Sequence, residues 1–121
     1  MKSAQHTPSL DALRDTLRRF AAERDWEQFH SPKNLAMALS VEAAELLEHF
    51  QWLTEAESAR LSPTRHAQVR EELADVLLYL LLLADKLDID LLAAAGDKIV
   101  LNAARYPAAK VRGSSKKYTE Y

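Results

Sequence analysis

The sequence predicts an all-α fold, and three observations support this prediction. Ala, Leu, Glu and Arg, which favour helices, are abundant, whereas Gly96 and Gly113 are the only glycines. Apolar residues recur at helical spacing through most of the chain. Two Ser-Pro pairs mark helix starts. We therefore expect a four-helix bundle with helices at about residues 8–23, 32–53, 63–87 and 90–105.

The first two helices are predicted from their start signals and their periodicity. Thr7 and Pro8 give the start signal of the first helix. The apolar residues that repeat at helical spacing in it are Leu10, Leu13, Leu17 and Phe20. The segment RDWEQFHSPKN, residues 24–34, breaks this period. Ser31 as the cap and Pro32 at the first helical position then begin the second helix.

The last two helices follow a connector at residues 54–61 that has room for one helical turn. Ser62 and Pro63 repeat the start signal for the third helix, and LDIDL, residues 87–91, caps the fourth. Beyond it the composition shifts to Pro, Gly, Ser and Lys. We expect residues 106–121 to form a basic C-terminal tail.

Composition and charge narrow the class of protein. A chain of 121 residues predicts one domain, 1–121. Lys and Arg total 16 against 18 Asp and Glu, so no global field draws the protein to nucleic acid or to a membrane. The absence of cysteine excludes disulfides, a thiolate nucleophile and cysteine-bound zinc. Because the first ten residues also lack the apolar stretch of a signal peptide, we expect a cytoplasmic protein.

The most apolar segment of the chain predicts self-association. Val76 to Ala84 contains nine residues between Asp75 and Asp85, about half of the roughly 20 needed to cross a bilayer. A buried helix is therefore expected here. Such a helix is apolar on every side, which leaves more surface than three neighbouring helices cover in a small domain. We infer an oligomer assembled through helices.

Acidic pairs recur on two of the predicted helices. Glu42 and Glu45 lie three residues apart on the second helix, with Glu48 one turn further, and Glu72 and Asp75 have the same spacing on the third. Residues three apart project from one helix face. If these helices pack antiparallel across their short connector, the four carboxylates of the two pairs converge.

Clustered carboxylates repel one another unless a cation neutralises them. Without cysteine or well-placed histidine, the oxygen ligands suit Mg²⁺, with Mn²⁺ as the alternative, and a phosphate substrate. A di-iron site requires Glu-x-x-His elements, but His49 and His66 follow Leu46 and Pro63 at that spacing. The simpler interpretation of any single pair is solvated surface charge.

The acidic motif also resembles a known family. Glu-x-x-Glu, a gap at residues 46–71 and Glu-x-x-Asp are similar to the signature of the MazG-like all-α nucleotide pyrophosphohydrolases. The segments FAAERDWEQFHSPKNLAMAL, ELLEHFQW, EELADVLLYL, NAARYPAAK and SSKKYTE resemble the dCTP pyrophosphatase branch of that superfamily in the same order. The resemblance covers nearly the whole chain.

The resemblance implies an activity and a set of catalytic ligands. It implies hydrolysis of deoxynucleoside triphosphates, with dCTP and modified dCTP preferred, to the monophosphate and pyrophosphate. This is a house-cleaning reaction of the nucleotide pool. The matching metal ligands and catalytic residues are Glu42, Glu45, Glu72 and Asp75, and one of these or Glu48 would take the proton from the attacking water. A homo-oligomer built as a dimer of dimers is implied as well.

The resemblance also assigns substrate contacts. Trp26, His30 and Trp52 match residues that line the base pocket, and Tyr79 matches a tyrosine beside the sugar. The matching contacts on the fourth helix are Lys98 and Asn102, and Arg105 lies three residues further. Packing in the core or at an interface is the simpler role of the aromatic residues. One position departs from the pattern, because Leu17 stands where some relatives carry a histidine, which weakens the case for strict cytosine preference.

Two other functions use the same features. A non-enzymatic helical oligomerisation and interaction module would use the amphipathic helices and leave the acids as solvated charge. A nucleic-acid binder would use Tyr118 together with the tail cations Lys110, Arg112, Lys116 and Lys117. The overall charge disfavours this second function, so we expect no nucleic-acid partner and no membrane partner. In the resembling enzymes these lysines would help to hold triphosphate.

Overall fold

The computed structural model describes residues 7–115 and 118–120, and the described residues form helices and no strand. The all-α prediction is confirmed. The helices are α1 Leu10–Glu23, α2 Pro32–Glu48, α3 Glu55–Ser58, α4 Pro63–Lys86, α5 Leu91–Arg105 and α6 Ala108–Val111. Short 3₁₀ turns lie at Glu27–Phe29 and Tyr118–Glu120. The chain divides into two compact units, Met1–Asp88 and Ile89–Tyr121.

The helix starts confirm most of the predicted capping residues. The hydroxyl oxygen of Ser31 accepts a hydrogen bond from the Asn34 amide at 3.1 Å. Ser62 does the same for Arg65, also at 3.1 Å, and in both helices Pro occupies the first turn. Each cap satisfies one of the amide groups that a helix N-terminus leaves without an intrahelical partner.

Two predicted boundaries were wrong. The first helix begins at Leu10 and not at Pro8, because the Ser9 hydroxyl caps it by accepting from the Ala12 amide at 3.0 Å. The second helix ends at Glu48 and not near residue 53. Beyond Glu48 the chain forms turns, in which the amide of Phe50 donates to the Leu47 carbonyl at 2.9 Å and the amide of Leu53 donates to the Phe50 carbonyl at 2.9 Å. Thr54 then caps α3 through a reciprocal capping box with Glu57. The predicted connector with one helical turn is confirmed as α3.

In the first unit, α2 and α4 pack against each other in antiparallel orientation. His49 follows the last residue of α2, and its Nδ1 lies 3.3 Å from the guanidinium of Arg65 in the first turn of α4. Nearer the middle of both helices, the carboxylates of Glu42 and Glu72 approach each other. The end of α2 therefore lies beside the start of α4, and the middles of the two helices lie beside each other. This is the antiparallel arrangement predicted for the acidic pairs.

The buried side chains of this unit come from α1, α2 and α4. They are Ala21, Leu35, Val69, Leu81 and Ala84. Leu35 is only 1% exposed. The predicted apolar run on α4 thus contributes Leu81 and Ala84 to the core. No helix in the described part of the chain is long and apolar enough to span a membrane.

The second unit contains α5, α6 and the 3₁₀ turn at Tyr118–Glu120. The side chain of Asp90 caps α5 by accepting from the Ala93 amide at 3.1 Å. The region predicted as a tail therefore contains short helical segments. Lys116 and Lys117, on which the nucleic-acid hypothesis partly rested, lie outside the described residues.

Candidate active site

Three carboxylates from α2 and α4 converge in the first unit. One oxygen from each of Glu42, Glu45 and Glu72 lies within 4.8 Å of the others. The three-residue spacing of Glu42 and Glu45 places both on the face of α2 that meets α4. The predicted meeting of the two acidic helices is thus present in the structure.

Asp75 lies one turn beyond Glu72 and adds negative charge to this cluster. Burial, together with the neighbouring Glu45 and Asp75, raises the pKa of Glu42 to about 7, and burial is the largest of these causes. Burial and the charge of Glu45 also raise the pKa of Glu72. Both effects disfavour the ionised forms. The carboxylates are therefore held together at an electrostatic cost that a bound cation would remove.

The donor atoms fit a hard divalent cation. The Oε2 atoms of Glu42 and Glu72 are buried and accept no hydrogen bond. Buried oxygens without a donor are costly and uncommon in folded proteins. A divalent ion between the carboxylates would satisfy these atoms with oxygen ligands of the type that Mg²⁺ and Mn²⁺ prefer.

A pocket of about 160 Å³ opens beside the cluster. The residues that line it are Leu17, Phe20, Ala21, Trp26, His30, Asp75, Leu78, Tyr79 and Leu82. Asp75 therefore lies in the pocket wall and also acts through its charge on Glu42 and Glu72 of the cluster. Because Asp75, Tyr79 and Leu82 follow one face of α4 over seven residues, the pocket extends about 10 Å along that helix. Its end near Leu17 and Leu82 is apolar.

A helix-terminating motif fixes Trp26 in the pocket wall. Asp25 adopts a left-handed conformation, with φ of 53°. This conformation lets the amide of Trp26 donate to the Ala21 carbonyl at 2.9 Å. The amide of Asp25 donates to Ala22 at 3.2 Å, which completes a Schellman motif at the end of α1. The Trp26 ring meets Phe20 edge to face, with centroids 5.6 Å apart.

His30 supplies a ring nitrogen to a pocket wall that also contains Asp75 and Tyr79. Its Nδ1 is buried and has no hydrogen-bond partner. The loop that carries it is held at both ends. Gln28 Nε2 donates to the Asp25 carbonyl at 3.0 Å, and Asn34 Nδ2 donates to the Phe29 carbonyl at 3.0 Å. The atom is thus positioned to bond the polar edge of a ligand.

The acidic cluster and the pocket that Asp75 lines both lie within the first unit. A model of the MazG-like family matches residues 37–121 of this chain. The chain belongs to the MazG-like family. The matched region includes all four predicted metal ligands, Glu42, Glu45, Glu72 and Asp75.

Relatives of this MazG-like protein specify its branch. It is 50% identical over 115 residues to dCTP pyrophosphatase 1 of Homo sapiens, and this alignment covers 93% of this chain and 68% of the relative. The identity to dCTP pyrophosphatase 1 of Rattus norvegicus is 47% with the same coverage. The crystal structure of a pyrophosphatase from Archaeoglobus fulgidus aligns with a TM-score of 0.78 and 42% identity, covering 88% of this chain and 99% of that one. The dCTP pyrophosphatase branch inferred from the sequence is confirmed.

Two other predicted site residues in the first unit of the MazG-like chain are not in the pocket lining. Trp52 is 86% exposed and follows the end of α2. Glu48 is exposed at the last position of α2, outside the three-carboxylate cluster. The remaining three predicted contacts, on α5 of the second unit, are Lys98, Asn102 and Arg105. Their participation stays a prediction.

The pocket also contains residues that the sequence did not identify as functional. Phe20 had been assigned only to the apolar face of the first helix, and Leu78 and Leu82 to the apolar run on α4. Periodicity identifies apolar residues but does not distinguish a filled core from a cavity. The available signal was spacing, since Leu78 and Leu82 follow Asp75 at positions three and seven residues further.

Proposed function

We propose that this protein hydrolyses deoxynucleoside triphosphates to the monophosphate and pyrophosphate, with dCTP and modified dCTP preferred. The observation that carries the proposal is the convergence of Glu42, Glu45 and Glu72 beside an aromatic pocket. The names of the relatives support the same reaction. Such an enzyme would remove unwanted nucleotides from the cellular pool.

The cation is proposed to be Mg²⁺, with Mn²⁺ as the alternative. Glu42, Glu45, Glu72 and Asp75 would hold it, because the oxygens of the three glutamates converge and Asp75 lies one turn beyond Glu72 in the pocket wall. When bound, the cation would neutralise phosphate charge and favour ionisation of a coordinated water. One of these four carboxylates, or Glu48, would accept the proton of the attacking water.

The pocket is proposed to hold the base and sugar. Trp26 would stack on the base, since its ring lies in the pocket wall and is held by the Schellman motif. His30 Nδ1 would bond the base edge. Tyr79, one turn beyond Asp75, would lie beside the sugar. With the phosphates at the carboxylates, the base would point toward the apolar end of the pocket.

Further contacts come from residues outside this pocket. Lys98, Asn102 and Arg105 are proposed to contact phosphate and sugar, as their residue types permit.

The family match spans 37–121 and crosses the boundary between the two units, which supports a single functional domain over 1–121. The cytoplasm is the proposed compartment, because a chain without cysteine needs no oxidising environment.

We further propose that the protein is a homo-oligomer, with a dimer of dimers as the form. Large apolar side chains of the first unit remain exposed on α2 and α4, namely Met37, Val41, Leu47, Leu73 and Leu77. Exposed apolar patches of this kind mark interfaces. Trp52 would then contact a base only in a site to which a second subunit contributes. The proposed partners are the nucleotide substrate and further copies of the chain, without nucleic acid or membrane.

The test is pyrophosphate release from each common deoxynucleoside and ribonucleoside triphosphate with Mg²⁺. We expect release from dCTP by the wild type and its loss in Glu45→Gln. Glu71→Gln is the matched control, because Glu71 is an exposed glutamate on α4, next to Glu72 and outside the cluster. No release from any nucleotide, with a melting temperature that does not respond to Mg²⁺, would leave the oligomerisation module as the better explanation.

A further inference from the structure

The two helices that form opposite walls of the pocket are joined by one bidentate ion pair. The walls are α1, which contributes Leu17, and α4, which contributes Leu82. Arg18 Nε donates to Asp85 Oδ2 at 2.8 Å, and Arg18 Nη2 donates to Oδ1 of the same carboxylate. Arg18 directly follows Leu17, and Asp85 lies three residues beyond Leu82. The pair is therefore situated at the apolar end of the pocket, away from Asp75.

The geometry of this pair differs from that of an ordinary surface ion pair. A planar guanidinium that forms two parallel hydrogen bonds to one carboxylate is fixed in orientation as well as in distance. The Asp85 side chain is only 20% exposed, although Arg18 is 52% exposed. The guanidinium holds the pKa of Asp85 below its usual value, so the pair stays charged near neutral pH. Asp15, 3.6 Å from Arg18, steadies the guanidinium from its own helix.

Other described ion pairs of α1 do not connect helices. Arg14 contacts Asp11 and Asp15, and both partners are on α1. Leu17 of α1 and Leu82 of α4 also lie in the pocket lining, but apolar packing tolerates sliding more readily than a bidentate pair does. We propose that Arg18 and Asp85 are positioning residues that set the separation of α1 and α4, and thereby the width of the pocket that receives the nucleoside. The inference rests on the proposed function, since it assumes that the substrate occupies this pocket.

Steady-state kinetics of Arg18→Gln, Asp85→Asn and the double variant test this role. Neither residue touches the carboxylate cluster, so we expect KM for the nucleotide to rise about threefold to tenfold while kcat changes less than about twofold. The double variant should raise KM no more than either single variant, because all three remove the same link. Arg18→Lys keeps the charge but loses the two parallel hydrogen bonds of the guanidinium, so its KM should lie between those of the wild type and Arg18→Gln. Arg19→Gln is the control, because Arg19 is exposed on the same helix and contacts Thr16 rather than Asp85.

The outcomes separate the two proposals. Equal KM values in the wild type and the Arg18 and Asp85 variants, even with lowered melting temperatures, would overturn the positioning role and leave the proposed function intact. Additive effects in the double variant would overturn it too, because they would mean that each residue acts alone. A wild type that releases no pyrophosphate would overturn both the proposed function and this inference. Circular dichroism of every variant at the assay temperature establishes that the proteins compared are folded.

Discussion

Glu42 on α2 and Glu72 on α4 approach each other across the helix pair, and each buries one carboxylate oxygen that accepts no hydrogen bond. Their arrangement lowers the stability of the metal-free protein. A structure retains such an arrangement when the same atoms bind something else. The predictions below follow from this pair, from the pocket beside it and from the exposed faces of the same helices.

Removal of one charge from the cluster should separate stability from metal binding. We expect Glu72→Gln to melt at the same or a higher temperature than the wild type in EDTA, because it relieves repulsion among the carboxylates. The same variant should lose the increase in melting temperature that Mg²⁺ gives the wild type, and its kcat/KM should fall at least about 100-fold. Glu71→Gln, at the exposed neighbouring position on α4, should retain both properties. A Glu72→Gln protein that Mg²⁺ still stabilises fully would exclude this carboxylate as a ligand.

The metal-free protein should become less stable as the pH rises through neutrality. Glu42 in the folded protein releases its proton at a pH of about 7, whereas its ordinary pKa is 4.5. A raised pKa stabilises the fold below the ordinary value, and this contribution is lost as the pH rises through the folded pKa. Thermal melts in EDTA from about pH 5 to pH 8 should therefore show a falling melting temperature, and Mg²⁺ should stabilise more strongly at the upper end. Glu42→Gln should flatten the slope, and an unchanged slope in that variant would contradict this cause.

Leu17 should limit discrimination among pyrimidines. It lies at the apolar end of the pocket, where a hydrogen-bonding side chain would read the base. A pocket that presents an apolar group to the base discriminates poorly between bases that differ in their hydrogen-bonding groups. We expect the wild type to prefer dCTP over dTTP by less than about 100-fold in kcat/KM, and Leu17→His to widen that ratio. Leu17→Met is the control for side-chain bulk. A ratio equal in all three proteins would show that this position does not contact the base.

The left-handed turn at Asp25 should control both stability and base binding. Asp25→Asn should fold as stably as the wild type, because asparagine tolerates positive φ and its side-chain oxygen can still accept from Gln28 Nε2. Asp25→Val should cost about 1–2 kcal/mol of folding free energy, since a β-branched residue is disfavoured there. It should also raise KM by displacing Trp26 from the pocket wall. Chemical denaturation and kinetics measure the two effects, and a Val variant of unchanged stability would contradict the turn geometry.

The exposed apolar face of α2 and α4 should be an interface. Val41→Glu and Leu73→Glu should each reduce the mass measured by sedimentation or light scattering, because a buried charge at a subunit contact is costly. Ala22→Glu, at an exposed position on α1, is the control. If the wild type already has the mass of one chain, the oligomer proposal is wrong.

Much of the helical architecture could be predicted because its signals are local. Ser31 and Ser62 cap α2 and α4 at the helix starts that the Ser-Pro pairs predict. The three-residue spacing of the acids was sufficient to predict which faces of these two helices meet. The early end of α2 could not be predicted from periodicity, because apolar residues such as Phe50 and Leu53 continue beyond Glu48 while the backbone there forms turns. The pocket could not be predicted either. It depends on the distance between α1 and α4, which pairs such as Arg18 and Asp85 set across 67 positions of sequence.

The two tryptophans occupy very different surroundings. Trp26 packs its ring against Phe20 in the wall of the pocket, whereas Trp52 projects into solvent from the first unit. Because the chain contains no other indole, its intrinsic fluorescence divides into two reporters. Nucleotide entry would change the emission of Trp26, and burial of Trp52 against another molecule would shift the second emission toward the blue. Single-tryptophan versions would thus follow occupancy and association separately, without any attached dye.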